Sequence, residues 1–211
     1  MQQRTDFMFT GNILAIGAHP DDIEWGIFGT LYKFKNTCSI FCYVATIGGL
    51  GDFTSGESRK VESEAALKLL KPKKVFWYHD IGIDYKEYSS IVSDMEKIIY
   101  LNKINLVITP SKSDSHQDHR LISNITVSAL RRSNATLLFY PTLTTLEFNA
   151  KLFVDISKVF NMKKKALSLL VTQKDKSYMS EKYLEIFNHD SFASLHGLDY
   201  VEKFDIGGVF L

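Results

Sequence analysis

Short apolar runs and longer amphipathic stretches alternate along this chain. Ile13–Ile16 is apolar and short enough to be a buried strand; it breaks at Gly17-Ala18, and a segment of helical character follows His19-Pro20-Asp21-Asp22 to about Lys35. Cys38–Thr46, β-branched and aromatic, predicts a second strand. Glu57–Lys71 sets Val61, Ala65, Ala66, Leu69 and Leu70 on one helical stripe and stops at Pro72. Val75–Tyr78 predicts a third strand, ending in His79-Asp80, and Tyr88–Leu101 a helix carrying Ile91, Val92, Met95, Ile98 and Ile99. Leu106–Thr109, closed by Pro110, is a fourth strand. The polar stretch Ser111–Arg120 leads into a helix through Arg131, and Ala135–Tyr140 is a fifth strand. Four βα units and a closing strand predict an α/β fold, a doubly wound Rossmann-like parallel sheet. The last third reads as an extension: a half-buried edge strand at Lys151–Ile156, helices over Ser157–Thr172 and from Ser180 to His189, and a tail from Gly197 that is apolar enough to fold back.

Composition narrows the classes. The 211 residues predict one domain, 1–211, and 45% hydrophobic residues suffice for a real core. Lys and Arg number 25 against 24 Asp and Glu, which gives no support for a nucleic-acid surface; the one basic block is Lys163-Lys164-Lys165. Cys38 and Cys42 share one face of a predicted strand and read as core residues rather than a bridge. The N-terminus has no apolar signal segment, and no stretch approaches the roughly 18 apolar residues of a membrane span. A cytoplasmic protein is expected. The glycine-rich Ile47–Gly56 suits a mobile active-site loop, but without a following Gly-Lys-Ser/Thr it is not a phosphate loop.

Candidate chemistry sits at two of the strand ends. His19, Asp21 and Asp22 fall at the carboxyl end of the first predicted strand, where open α/β sheets bind ligands. One imidazole and two carboxylates within four residues suit a metal; the alternative is that Asp21 or Asp22 caps the helix, with Glu24 near its positive end. His116-Gln117-Asp118-His119 follows the fourth strand in the same way, with a cap at Asp118 as the alternative. In the strand order 3-2-1-4-5, strands one and four are neighbours at the topological switch point, so the two clusters would face each other across a crevice. Two histidines and a carboxylate make a catalytic zinc set with an open position, and non-haem iron uses the same set. Spacing leaves open which groups bind. The groups left over are the parts of a hydrolytic site: a base, an electrophilic stabiliser and an orienting partner.

His19-Pro20-Asp21-Asp22-Ile23-Glu24 with Gly29-Thr30-Leu31, and His116-x-Asp118-His119, resemble the two signatures of the PIG-L or LmbE-like zinc-dependent N-deacetylases. Gly48-Gly49 with Arg59-x-x-Glu62 and Ala66, Lys165-Ala166-Leu167 with Gln173, and Tyr200-x-Glu202-x-Phe204 extend the likeness over nearly the whole chain. The resemblance implies zinc ligands His19, Asp22 and His119, with iron as the alternative metal. It implies Asp21 as general base, His116 as the group that stabilises the oxyanion or protonates the leaving amine, and Asp118 as the residue that orients an imidazole. Arg59 and Asp80 fall where the family has substrate-binding residues; a surface ion pair and a turn cap are their structural alternatives. Three departures stand out: Gln117 replaces the usual proline, Lys71 stands where a helix-ending glycine is common, and Trp25 and Phe28 make the expected mouth aromatic.

The resemblance thus implies deacetylation of an N-acetyl amino sugar, N-acetylglucosamine-like, free or conjugated, by a protein able to form homo-oligomers. Two other classes are a metal amidohydrolase acting on a non-sugar N-acyl substrate and a non-catalytic nucleotide- or sugar-binding module. Against the latter, His-Pro-Asp-Asp stands where G-x-G-x-x-G would be.

Overall fold

The computed structural model describes residues 9–48, 56–79 and 85–209. Five parallel strands, β1 (Gly11–Gly17), β2 (Cys38–Thr46), β3 (Lys74–His79), β4 (Leu106–Pro110) and β5 (Thr136–Tyr140), alternate with helices as the apolar pattern predicts. The helices are α1 (Asp22–Gly26), α2 (Phe28–Phe34), α3 (Gly56–Leu67), α4 (Tyr88–Leu101), α5 (Gln117–Ala129), α6 (Phe160–Leu167), α7 (Glu181–Asn188) and α8 (Ser191–Leu195). Two further strands, β6 (Leu152–Asp155) and β7 (Val201–Gly208), complete a sheet of order β3-β2-β1-β4-β5-β7-β6. This is the doubly wound α/β sheet, with β1 beside β4 and an antiparallel β7–β6 extension.

Both faces are covered, which is why the strand sequences are nearly all apolar. Ile13, Ala15, Ile40, Cys42, Leu106 and Leu138 point to a core completed by α1, α2, α3 and α6. Their neighbours Leu14, Phe41, Tyr43, Val107 and Leu137 point to a second core under α4 and α5. Trp25 and Phe28 belong to the first core and not to a cleft mouth. The indole is 3% exposed, lies edge-on to Tyr178, Tyr183 and Phe187, and its N–H is directed at the Met179 sulfur. Lys71, after α3, has φ 54, the left-handed conformation for which a glycine is the usual solution. Among the described residues no helix is long and apolar enough to cross a membrane.

The C-terminal third differs most from expectation. The tail supplies β7, inserted between β5 and the edge strand β6. The single predicted helix after β1 is two helices, broken at Ile27 (φ −140°, ψ 9°). One side chain ties the two features together. Glu202, buried in β7, accepts hydrogen bonds from the Gly29 and Thr30 amides in the first turn of α2, at 2.9 and 2.6 Å. These amides have no carbonyl partner within the helix, so a carboxylate there satisfies them and suits the helix dipole. The fully buried Lys163 of α6 completes the network, donating to Glu202 at 2.6 Å and to Asn188 of α7 at 3.0 Å. Burial pulls the lysine's pKa down, and Glu202 opposes that shift.

Removing one partner of a buried pair leaves an uncompensated charge. Lys163→Met should therefore cost about 3–5 kcal/mol in urea denaturation, and Lys163→Met with Glu202→Gln should recover a large part of that loss. A Lys163→Met protein within about 1 kcal/mol of wild type would show that the network is not what fastens the extension to α2.

Candidate active site

β1 ends at Gly17, and the chain must turn at once to start α1. Asp22 makes that turn: its Oδ2 accepts from the Ala18 and His19 amides at 2.8 and 2.9 Å. The turn forces Asp21 to φ 141°, where a side-chain-bearing residue is strained. At the neighbouring strand end, His116 caps α5, and its Nδ1 accepts from the Asp118 amide at 3.2 Å.

Because β1 and β4 are adjacent, these two turns meet. The His19 ring centroid lies 4.6 Å from that of His116 and 5.3 Å from that of His119; His116 and His119 are 4.8 Å apart. Each of the three offers a ring nitrogen, and these nitrogens all lie within 4.8 Å of one another. Asp22 Oδ1 lies 3.2 Å from His119 Nε2. Despite that proximity, His119 Nε2 is buried with no well-formed hydrogen bond among the described residues. An orphaned buried nitrogen is costly unless something else takes its lone pair. His19 presents Nε2 to Asp118 Oδ2 at 3.1 Å, which leaves Nδ1 facing Asp22, 3.7 Å from Oδ2. Two imidazoles and a carboxylate oxygen thus converge, and this donor set fits a divalent metal.

His116 differs from its neighbours. Its Nδ1 lone pair is occupied by a backbone N–H, so in the neutral ring the proton sits on Nε2. That nitrogen is then a hydrogen-bond donor. Asp118, at the same turn, orients His19 and not His116.

Asp21 Oδ2 pairs with Arg59 Nη2 at 3.1 Å, and the same Nη2 donates to the Pro20 carbonyl at 3.3 Å. Arg59 is therefore not a surface pair; it braces the strained carboxylate. Gly48 (φ +72°) lets it do so, since a Cβ there would lie 2.5 Å from Arg59 Nη1. Asp80 lies outside the described residues, as do the glycines of the 49–55 loop.

The electrostatics follow from burial and proximity. Burial, then the adjacent Asp22 charge, raises the Asp21 pKa to about 6, while Arg59 acts in the other direction. Burial would also raise Asp22, but the His119 and His19 charges and the hydrogen bonds the carboxylate accepts together hold it below the usual carboxylate range. Burial would lower His119, but Asp22 and Asp114 raise it to about 10, so without a metal a proton would sit on Nε2 facing Asp22 Oδ1, in the place a metal would take. Burial together with the two neighbouring imidazoles lowers His116. Glu24 is raised to about 8 by burial, and the Ser63 hydroxyl donates to it at 2.5 Å.

Asp114 has no place in the sequence motifs, yet it lies 3.1 Å from His119 Nδ1 with a fully buried side chain. Thr142, Thr144 and Thr145, from the segment after β5, surround it. The available signal was position alone: Asp114 stands two residues before His116 in one polar run.

Comparison with known proteins agrees with this geometry. Residues 14–130 match the family model PIG-L, GlcNAc-PI de-N-acetylase. The chain is 31% identical over 156 residues to the uncharacterized deacetylase YaiS of Escherichia coli strain K12, covering 70% of this chain and 83% of that protein. In fold it resembles N,N'-diacetylchitobiose deacetylase from Pyrococcus horikoshii, with TM-score 0.82 and 22% identity over 98% of this chain and 87% of the other. It also resembles GalB, the 4-carboxy-2-hydroxymuconate hydratase of Pseudomonas putida KT2440, with TM-score 0.79 and 16% identity over 96% and 98% of the two chains. The shared architecture therefore supports more than one reaction, and the family is carried by the sequence match that spans both His/Asp turns. The chain belongs to the PIG-L family of deacetylases.

Proposed function

We propose that residues 1–211 form a single zinc-dependent N-deacetylase domain that releases acetate and a free amine from an N-acetylated amino sugar, free or conjugated. The observation that carries this reading is the orphaned, buried Nε2 of His119 facing Asp22 Oδ1 beside the His19 ring. His19 through Nδ1, Asp22 through Oδ1 and His119 through Nε2 would hold the metal, with iron able to use the same set. The sugar is suggested by the N,N'-diacetylchitobiose deacetylase, whose fold this chain shares.

When bound, zinc supplies Lewis acidity, polarising a carbonyl oxygen and lowering the pKa of water. Asp21 takes the proton of the attacking water. Its Oδ2 is held by Arg59, so Oδ1 is the oxygen that receives it. Strain at φ 141° and the Arg59 brace keep this carboxylate fixed in place. His116 donates from Nε2–H to the oxyanion of the tetrahedral intermediate; the Asp118 amide on Nδ1 fixes that tautomer in advance. Asp21 then returns its proton to the departing amine. Arg59, paired with Asp21, and Asp80, from its sequence position, are proposed on the substrate side.

The functional reading is tested by an amine-release assay on zinc-loaded protein. Acetate and amine should appear in equal amounts from N-acetyl amino sugars or their conjugates, and not from N-acetyl amino acids. Turnover restricted to the amino acids would replace the sugar reading with the general amidohydrolase one.

Asp21→Asn should retain the turn and the metal, because Asp22 holds both, and should lower kcat by roughly 10²–10⁴. Near-normal turnover by metal-replete Asp21→Asn would assign the base elsewhere.

The two histidines of the second cluster should separate cleanly. His119→Ala should lose stoichiometric zinc on dialysis. His116→Ala should keep it, and should lose about 10²–10³ in kcat with little change in KM. Loss of zinc from His116→Ala would make His116 a ligand.

A further inference from the structure

We infer that Asp114 is the positioning residue for both histidines of the second cluster, holding His119 as the tautomer whose free lone pair is Nε2. This rests on the metal-centre reading above and adds to it a residue outside both signature motifs. Asp114 is a buried carboxylate whose two oxygens are shared among four donors and the His119 ring nitrogen. Oδ1 accepts from the His116 amide at 2.8 Å and the Thr144 hydroxyl at 2.6 Å. Oδ2 accepts from the Thr142 hydroxyl at 2.5 Å and the Thr145 hydroxyl at 3.1 Å, and lies 3.1 Å from His119 Nδ1.

Each threonine hydroxyl has one proton, and in this arrangement each directs it at Asp114. The Thr142 and Thr144 oxygens also lie 3.2 Å from His119 Nδ1, so with their protons committed they can only accept from it. His119 Nδ1 therefore faces a carboxylate oxygen and two hydroxyl lone pairs. A lone pair on Nδ1 would meet three acceptors and no donor; a proton there can be donated to Asp114 Oδ2 with the two hydroxyl oxygens beside it. In the neutral ring this leaves Nε2 bare, aimed at Asp22 Oδ1. The carboxylate–imidazole arrangement also raises the donor strength of that nitrogen, as second-layer carboxylates do for metal-binding histidines.

The same carboxylate fixes the second histidine by a different route. Oδ1 holds the His116 backbone N–H, and His116 in turn caps α5. The entry to α5 is further tied by Arg120 Nη1, which donates to the Asp114 and Ser115 carbonyls at 2.6 and 2.7 Å. The run Thr142-Leu143-Thr144-Thr145 after β5 is thus a hydroxyl collar for one aspartate, and it transmits the position of β5 to both imidazoles.

The test compares wild type with Asp114→Asn, which keeps the shape and removes the charge. Zinc affinity, measured by competition with a chelator, should weaken by about 10–100-fold in Asp114→Asn while far-UV circular dichroism is unchanged. Because a variant at this position can fail to fold, a second measurement uses wild type alone. Protein with isotope-labelled imidazole nitrogens is loaded with an NMR-active cadmium isotope. Metal–nitrogen coupling should appear at His119 Nε2, with a slowly exchanging proton on Nδ1. Wild-type zinc affinity in folded Asp114→Asn, or cadmium coupling at His119 Nδ1, would overturn the role of Asp114 and leave the metal centre standing. Failure of wild type to bind either metal would overturn the metal centre and this inference together.

Discussion

Asp22 has one carboxylate and two tasks, and the site depends on both. Oδ2 closes the turn between β1 and α1 by accepting the Ala18 and His19 amides; Oδ1 faces His119 across the switch point. A carboxylate committed to two backbone N–H groups cannot swing away, so its other oxygen is pre-positioned without further contacts. The same turn throws Asp21 into its strained conformation, where Arg59 meets it. The proposed ligand Asp22 and the proposed base Asp21 are consecutive residues on a single tight turn that points their carboxylates at different partners.

Around that turn the neighbouring groups divide by which atoms are already occupied. His19 gives Nε2 to Asp118, His119 gives Nδ1 to Asp114, and His116 gives Nδ1 to a backbone amide. The first two rings are left with lone pairs facing Asp22, and the third with an N–H. Three histidines of one cluster are thereby left with two kinds of free ring nitrogen, set by hydrogen bonds on their far sides. The likeness of this fold to a hydratase makes the distinction important, since the sheet alone does not choose the reaction.

The first five strands and the meeting of the two clusters were legible in the sequence, because apolar runs and turn residues report burial and strand ends directly. The order β3-β2-β1-β4-β5 follows from alternating βα units, and it alone brings residues about a hundred positions apart together. β7 was not legible. Its alternation is interrupted by Glu202, a charge that is buried only because Lys163 and two α2 amides meet it. Lys163 was hidden for the converse reason, since within Lys163-Lys164-Lys165 it reads as one more solvated cation. Trp25 looked like part of a cleft because it follows the metal motif, but the helix turns its ring into Tyr178, Tyr183 and Phe187. Asp114 reads as loop polarity in Ser111–Ser115; its role depends on threonines about thirty residues later, and no local pattern contains them.

Two imidazoles and one carboxylate, His19, His119 and Asp22, are the proposed metal site, with His116 beside it as a donor. A crystal structure of the zinc-loaded protein, with the metal located by anomalous scattering at the zinc edge, tests this most directly. Zinc should lie within about 2.0–2.2 Å of His19 Nδ1, His119 Nε2 and Asp22 Oδ1, with His116 Nε2 outside the coordination sphere. Zinc bonded to His116, or bound by the three imidazoles with Asp22 excluded, would contradict it.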